Sequence, residues 1–215
     1  MKKACLFTHR VYQKNEIFDP KSPLNRDNCL EFFHELKKQF LQYNIDLQTQ
    51  DMCSLKEVEF IIYNEAPKRQ FHRRYPQKSA ILLFECEVIR PDNWKLNNHK
   101  FYKYIFTWND GFVDNKKYFK FHFPHSGIAI SKEFSEKNKF CTLIASNKLT
   151  CHPLELYSKR IEAIRWFEKN HPDQFDFYGV GWNHYAFKIP YISKVLNRIK
   201  PLTKILSKDW PLYRG

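Results

Sequence analysis

The chain carries the run Ser79-Ala80-Ile81-Leu82-Leu83-Phe84-Glu85, which is almost wholly apolar until its last residue. A second run of this kind, Val58–Tyr63, precedes it. Short apolar runs of this length are typical of strands that are buried on both faces, as the strands of parallel sheets are. Because helical crossovers cover the faces of such sheets, the two runs predict an α/β fold.

Strand and helix patterns alternate around these two runs. Asp27-Asn28 precede a helical pattern with one apolar face, formed by Leu30, Phe33, Leu36, Phe40 and Leu41. The polar stretch Arg90–Lys100 predicts a loop. Further short apolar segments predict strands at 3–7, 45–48, 104–108 and 118–123. The alternation predicts a parallel sheet covered by helices.

A second βα unit is predicted to open at Lys139. Phe140–Ala145 has the pattern of a buried strand, and Phe175–Tyr178 has that of the next one. Between them Pro153 suits the first turn of a helix whose apolar stripe is Leu154, Tyr157, Ile161 and Ile164. The charged stretch 131–138 before this unit predicts a domain boundary, which gives domains 1–138 and 139–215.

Composition and charge narrow the class of protein. Hydrophobic residues make up 43% and aromatic residues 17% of the 215 residues, whereas disordered chains are poor in aromatic residues. The chain is therefore predicted to be globular. Its formal net charge of +13 favours polyanionic partners, namely nucleic acid, anionic lipid headgroups or a phosphorylated substrate.

Three features predict a cytoplasmic protein. No stretch reaches the roughly 18 apolar residues that a membrane span needs. The first residues turn polar at Thr8-His9-Arg10, too soon for a signal peptide. The six cysteines are scattered without a C-x-x-C pair, which argues against a zinc site or a disulfide scaffold and favours reduced thiols.

Glu85 is the first candidate for a functional residue. It closes the second apolar run as the chain enters a loop. In open parallel sheets ligands bind at the carboxyl ends of the strands, so a carboxylate there is placed to meet a ligand. Partial shielding from water suits such a carboxylate to general-base catalysis. The alternative is a strand-end acid that caps a turn or pairs with Arg90.

The second unit supplies two more candidates. Gly179 and Gly181, two of only five glycines, directly follow the strand predicted at 175–178. Glycines there let a backbone turn sharply and approach a nucleotide closely. Arg160 falls near the start of the predicted helix, where the helix end and a guanidinium both attract a diphosphate. The alternatives are an ordinary strand-ending turn and a solvated helix arginine.

Several familiar site signatures are absent from the sequence. It has no Walker loop, no G-x-G-x-x-G, no G-x-S-x-G and no Asp-x-Asp. His122, His125 and His152 lack the spacing of metal ligands and are predicted to be surface or packing residues. No metal site is therefore predicted.

Three segments carry a resemblance to a known family. They are 139–148, with Ser146-Asn147 after the predicted strand, 156–161, with Arg160, and 175–182, with an Asp-x-aromatic-Gly pattern. The same order of strand, arginine-bearing helix and strand is found in the α-1,3/1,4-fucosyltransferase family, glycosyltransferase family ten, which the chain resembles. The likeness is most specific over 81–182, where 105–119 is also similar to bacterial members.

This resemblance implies a fold and a reaction. The family has two facing Rossmann-like domains of the GT-B type, with the acceptor sugar on the first and GDP-fucose mainly on the second. It moves L-fucose from GDP-fucose to a glycan hydroxyl, inverting the anomeric carbon in a single displacement. The expected acceptor contains GlcNAc or Glc, such as a bacterial surface polysaccharide precursor. GDP-fucose is the donor substrate, and no cofactor is expected.

The resemblance also assigns residues. Glu85 matches the glutamate of the family's Phe-Glu-Ser-Pro-like segment, which makes it the expected base, with Glu87 as the fallback. Arg160 matches the helix arginine that contacts the donor's phosphates. Further substrate contacts are expected from the matching strand-end residues Ser146, Asn147, Tyr178, Gly179, Gly181 and Trp182.

One departure from the family pattern changes the expectation. Family members continue past the segment matching Tyr213-Arg214-Gly215 into a stretch that supplies a lysine and a glutamate to the donor. That stretch has no counterpart in this sequence. The chain is therefore expected to carry the acceptor domain and only the beginning of the donor domain. Its exposed sheet edge and apolar faces favour weak donor binding and self-association.

Two other interpretations stay open. A different GT-B glycosyltransferase with another donor would use Glu85 and Arg160 equally well. The second is a non-enzymatic basic module that binds nucleic acid or an anionic membrane through 183–215, where seven Lys or Arg face one acidic residue, Asp209. Because basic residues are spread over the whole chain, we expect no nucleic-acid binding, whereas a peripheral contact with the inner face of a membrane is compatible with the charge. The sequence does not indicate an oligomeric state.

Overall fold

Two compact units, Met1–Ala129 and Ile130–Gly215, make up the computed structural model of the chain. The structure describes residues 1–67, 74–123 and 136–182, together with Ile199. The basic segment 183–215 therefore lies outside the described residues, apart from Ile199. Most of the charged stretch 131–138 also lies outside them, and the domain boundary at 138–139 stays a prediction.

The first unit is built on a six-stranded sheet in which every neighbouring pair of strands is parallel. The strands are β1 Lys2–Phe7, β2 Ile45–Thr49, β3 Phe60–Asn64, β4 Ser79–Leu83, β5 Tyr104–Thr107 and β6 Tyr118–Lys120. They lie in the order β2-β1-β3-β4-β5-β6. The predicted α/β class with a parallel sheet is confirmed, and the sheet is consistent with a Rossmann-like fold.

Apolar side chains at alternate strand positions form a core on each face of this sheet. One core contains Cys5, Ile61, Tyr63, Ile81, Leu83 and Ile105. The other contains Ala4, Leu6, Leu47, Ile62 and Leu82. Burial of both faces is the reason that β3 and β4 are nearly continuous apolar runs in the sequence.

Helix α1, Glu31–Gln42, covers the second of these cores. Leu30, which precedes the helix, and Phe33 are buried in the core, and Leu36 and Phe40 pack against it. The prediction that Leu41 shares this face is wrong, because Leu41 is 45% exposed. It follows Phe40 directly, and one step along a helix turns a side chain by about 100° from its neighbour.

The segment predicted as a loop at Arg90–Lys100 contains two helical turns. Pro91–Trp94 forms a 3₁₀ turn with proline in its first position, and α2 spans Leu96–His99. Asn93 and His99 are buried there. Strand β4 ends at Leu83, so Glu85 lies two residues into the loop rather than at the end of the strand.

The second unit contains a parallel βαβ arrangement, as predicted. Strand β7, Cys141–Ile144, pairs with β8, Phe175–Tyr178, and helix α3, Tyr157–Asn170, connects them. A small core joins the helix to β8, and its buried residues are Ile164, Phe175, Phe177 and Trp182.

Two predictions about this unit are wrong. The strand at 140–145 is not buried on both faces, since Phe140 is 80% exposed and Ile144 is 77% exposed. Helix α3 begins at Tyr157 instead of near Pro153. The carboxylate of Glu155 accepts hydrogen bonds from the Ser158 amide, at 3.0 Å, and from the Ser158 hydroxyl, at 2.5 Å. These bonds satisfy donors at the start of the helix. Leu154 is consequently outside the helix and exposed.

Candidate functional site

The strand order creates a switch point between β1 and β3. From β1 the chain crosses to β2 on one side and then returns to β3 on the other. Ligands of open α/β sheets bind outside the carboxyl ends of the strands at such a reversal. A cavity of about 410 Å³, the switch-point crevice, opens there. Its lining comes from the residues that follow the strands and from Arg90, and includes Thr8, His9, Arg10, Gln50, Asn64 and Glu65.

Glu65 is the buried carboxylate of this crevice. It follows β3 directly, is 8% exposed and adopts a left-handed backbone conformation with φ of 73°. Its Oε1 accepts the amide N–H groups of Phe84, at 3.0 Å, and Glu85, at 2.9 Å. Its Oε2 accepts a hydrogen bond from the side-chain amide of Asn93.

Burial and these bonds act on the Glu65 carboxyl in opposite directions. Burial disfavours the charged form and raises the pKa of Glu65, while the hydrogen bonds from Asn93, Glu85 and Phe84 lower it. Burial is the larger effect, so the pKa of Glu65 lies above its ordinary value of 4.5. By accepting these three hydrogen bonds, the Glu65 carboxyl links the end of β3 to the loop after β4.

The predicted base, Glu85, lies on a dipeptide whose main chain is fixed by side chains. Both N–H groups of Phe84-Glu85 are bound by Glu65. The carbonyl of Phe84 accepts the indole N–H of Trp108 at 3.0 Å, and that of Glu85 accepts the indole N–H of Trp94 at 3.0 Å. The two indole rings contact each other, with centroids 5.4 Å apart.

This arrangement leaves the Glu85 side chain exposed at the carboxyl edge of the sheet. Within the described ranges no ion pair joins it to Arg90. Glu87, the fallback base, is also exposed but lies beyond the fixed dipeptide. Within the described ranges, hydrogen bonds hold the main chain of Glu85 on both sides.

An aromatic groove of about 390 Å³ lies at the same sheet edge. It is lined by Tyr12, Phe33, Phe84, Trp108, Phe121 and Phe123 among others. Aromatic faces provide apolar area against which the C–H face of a sugar ring packs. Phe84 forms part of the groove wall, and Glu85 directly follows it in the chain.

Asn64 lines both the switch-point crevice and the aromatic groove. Its side-chain N–H donates to the Thr8 hydroxyl at 3.3 Å. Its side-chain oxygen is buried and accepts no hydrogen bond from the described residues. Buried acceptors normally have a partner, and this oxygen has none among the described residues.

In the second unit the structure brings the predicted residues together at the carboxyl ends of β7 and β8. Arg160 donates from Nη1 to the Ser146 carbonyl at 3.0 Å, and its guanidinium lies 5.2 Å from the Tyr157 ring centroid. Asn147 donates from its side chain to the Gly181 carbonyl at 3.0 Å. The Arg160 bond joins helix α3 to the end of β7, and the Asn147 bond joins the ends of β7 and β8.

The two glycines also serve this junction. Gly179 has φ of +145°, and a Cβ on it would lie 1.7 Å from the Ala145 carbonyl oxygen. Gly181 has φ of +83°. Trp182 is 2% exposed and donates its indole N–H to the same Ala145 oxygen at 2.7 Å. Tyr178, the last residue of β8, accepts the Ala145 amide on its carbonyl at 3.0 Å.

Sequence reasoning missed Glu65, Asn64, Asn93 and the two indole donors. A signal for the first two was present, because Asn64-Glu65 follow an apolar strand run as Glu85 does. The partners of Glu65 lie 19 and 20 residues further along the chain, and no local pattern indicates contacts at that separation.

Neither a metal-ligand cluster nor a membrane-spanning helix is found among the described residues. They contain no group of three or more His, Cys, Asp or Glu side chains arranged to hold a metal ion. None of their helices combines the length and apolarity that crossing a membrane requires.

In comparisons with known proteins, no family model and no curated sequence matches the chain.

Proposed function

We propose that this protein is an inverting glycosyltransferase of GT-B architecture, which moves L-fucose from GDP-fucose to a hydroxyl of a GlcNAc- or Glc-containing glycan. Glu85 is the base that accepts the proton of the attacking hydroxyl. The observation that carries the proposal is the fixed Phe84-Glu85 dipeptide beside an aromatic groove, with the Glu85 carboxylate exposed at the carboxyl edge of the sheet.

The reaction needs a base that is fixed in position yet accessible. The acceptor hydroxyl oxygen attacks the anomeric carbon of fucose, its proton passes to the Glu85 carboxylate, and the bond from that carbon to the GDP oxygen breaks. GDP leaves with the electron pair, and because the hydroxyl attacks from the face opposite GDP, the anomeric configuration is inverted. Side-chain hydrogen bonds to all four main-chain groups of Phe84-Glu85 reduce the reorganisation that this proton transfer requires.

The aromatic groove supports binding of the acceptor in the first unit. Its wall includes Phe84, which is adjacent to Glu85, and the ring of Trp108, which is 46% exposed. A sugar ring packed on such faces buries apolar area, while its hydroxyls meet polar groups at the rim.

The donor contacts are proposed for the second unit. Arg160 is half-buried and spends one N–H on the Ser146 carbonyl, which orients the guanidinium and leaves its other donors for the phosphates of GDP. The left-handed glycines keep the backbone after β8 free of side-chain bulk.

The test is a transfer assay with the full chain. It is incubated with GDP-fucose and either lactose or N-acetyllactosamine, and GDP release and product mass are measured, with UDP-galactose as the control donor. We expect GDP release that requires both GDP-fucose and an acceptor. Transfer from UDP-galactose alone would contradict the proposal in favour of another GT-B transferase, and absence of transfer from either donor would also contradict it.

A further inference from the structure

We infer that the switch-point crevice is a binding site for the phosphate group of a small phosphorylated sugar, held by Arg10 and Arg90. This site is separate from the Glu85 dipeptide and from the residues proposed for the donor. It does not depend on which sugar the protein transfers.

The crevice lies at a place in the fold where ligands bind. It opens at the carboxyl ends of β1 and β3, where the crossovers diverge, and small ligands of open α/β sheets bind at this point. Its volume of about 410 Å³ falls within the usual range for small-molecule sites and exceeds what a bare phosphate ion needs. A phosphate with a sugar attached is a closer match.

The two arginines of the crevice have no acceptor among the described residues. Arg10 follows β1, and Arg90, which is half-buried, lies in the loop after β4. In the described part of the chain, neither guanidinium makes a hydrogen bond or an ion pair. Two arginines that line one cavity without acceptors match an anion with several oxygens, because guanidinium donors pair with phosphate oxygens two at a time.

The one carboxylate in the crevice does not take the place of that anion. Both oxygens of Glu65 already accept hydrogen bonds, from two main-chain amides and from Asn93. Arg90 acts on Glu65 only through its charge.

The loop after β1 is held in place by side-chain hydrogen bonds. The side-chain oxygen of Gln50 accepts the Thr8 amide at 3.0 Å, and the Gln50 side-chain N–H donates to the Thr8 carbonyl at 2.8 Å. The Thr8 hydroxyl oxygen accepts from Asn64, which leaves its hydrogen free to donate. The crevice therefore has a preformed floor with neutral polar groups beside its two cations.

The experiment measures binding of N-acetylglucosamine 1-phosphate to the full chain by isothermal titration calorimetry at constant ionic strength. Neutral N-acetylglucosamine and inorganic pyrophosphate are the comparison ligands. We expect the sugar phosphate to bind and the neutral sugar to bind at least tenfold more weakly. Pyrophosphate binding more tightly than the sugar phosphate would overturn the inference that the crevice accommodates the sugar.

The variants Arg10→Ala and Arg90→Ala should each weaken sugar-phosphate binding roughly ten- to hundredfold, the range for a lost charged hydrogen bond. Arg26→Ala is the matched control, because Arg26 is an exposed arginine of the first unit outside the crevice. Because Arg10 is exposed, we expect Arg10→Ala to fold, so it measures the contribution of Arg10 to binding even if Arg90→Ala does not fold. No binding of the sugar phosphate, or an equal loss in Arg26→Ala and Arg10→Ala, would overturn the inference.

The two proposals fail separately. Glu85→Gln should bind N-acetylglucosamine 1-phosphate as the unmodified chain does, because the Glu85 side chain does not line the crevice. If that variant loses phosphate binding as fully as Arg10→Ala, the two sites are not separate and the inference is overturned, whatever the result of the transfer assay.

Discussion

The carboxyl ends of the strands differ between the two units in what their polar side chains bind. In the first unit Glu65, Trp94 and Trp108 hold the main chain of one dipeptide and leave its carboxylate side chain exposed. In the second unit Arg160 binds the end of β7 from helix α3, and Asn147 and Trp182 bind main-chain carbonyls across the ends of β7 and β8. The predicted residues of the second unit therefore bind main-chain groups themselves, whereas the predicted base of the first unit is held by its neighbours and exposes its own side chain.

Gly179→Ala is the substitution with the largest expected effect on the second unit. Its Cβ would overlap the Ala145 carbonyl, and its φ of +145° is strained for alanine. We expect a loss of about 3 kcal/mol or more in the free energy of unfolding of that unit.

Hydrogen exchange in β7 and β8, together with urea denaturation, measures this loss. The control is Gly111→Ala, where the nearest atom to the added Cβ is a side-chain oxygen at 3.2 Å and φ is not left-handed. Equal, small losses in both variants would show that the junction in the second unit tolerates a side chain.

Glu65→Gln tests the equivalent junction in the first unit. The amide cannot accept three donors as the carboxylate does, and Asn93 cannot reverse its own amide freely because its oxygen accepts the Ala66 amide at 2.9 Å. We expect a loss of about 1–3 kcal/mol in unfolding free energy. Glu57→Gln, at an exposed glutamate, should leave it within about 0.5 kcal/mol.

The pH dependence of stability provides an independent test of Glu65. The pKa of Glu65 is raised in the folded chain above its ordinary value of 4.5, so folding takes up a proton at pH values between the ordinary and the raised pKa. The stability that the Glu65 carboxyl contributes is fully present below its ordinary pKa and is lost as the pH rises through its folded-state pKa. The advantage of the unmodified chain over Glu65→Gln should therefore shrink from pH 4 upward in urea titrations. A growing advantage over that window would contradict the assigned shift.

Replacement of tryptophan by phenylalanine compares the two junctions with the same chemical change. Trp182 is 2% exposed and Trp108 is 46% exposed. After replacement of Trp182 we therefore expect no water to reach the Ala145 carbonyl, whereas after replacement of Trp108 water can bind the Phe84 carbonyl. We expect Trp182→Phe to cost about 2 kcal/mol and Trp108→Phe about 0.5–1 kcal/mol in thermal unfolding. The reverse order would mean that the second junction is solvated.

Arg160→Ala should have the smallest effect on stability, below about 1 kcal/mol, since its bond to Ser146 is half-exposed. Its effect should instead be on GDP affinity, measured by calorimetry. Arg165→Ala is the control on the same helix, where the side chain pairs with Glu168 at 3.1 Å. If both variants bind GDP equally well, Arg160 is an architectural residue only.

The sequence predicted those parts of the fold that local patterns determine. Runs such as 58–63 and 79–85 became β3 and β4 because both of their faces are buried. The strand order, and with it the switch-point crevice, depends on crossovers that no window of residues contains. The start of α3 was predicted near Pro153, because proline suits a first helical turn. The helix begins at Tyr157 instead, where the Glu155 carboxylate accepts the Ser158 amide.

The candidate site was predictable to the same extent. Glu85 was identified from its place after an apolar run, whereas its support by Glu65 and two indoles depends on contacts between distant loops. Glycines were recognised as special, but only the structure shows that Gly179 is required by the close approach of Ala145.

The most direct test of the account is turnover of Glu85→Gln beside Glu87→Gln, with GDP-fucose and the preferred acceptor. Both variants remove one exposed carboxylate within three residues, and the described hydrogen bonds fix the main chain at Glu85. We predict that Glu85→Gln lowers kcat by roughly 10²–10⁴-fold with little change in KM, the range for a lost general base, while Glu87→Gln stays within about twofold of the unmodified chain. A Glu85→Gln variant as fast as the unmodified chain would contradict the account.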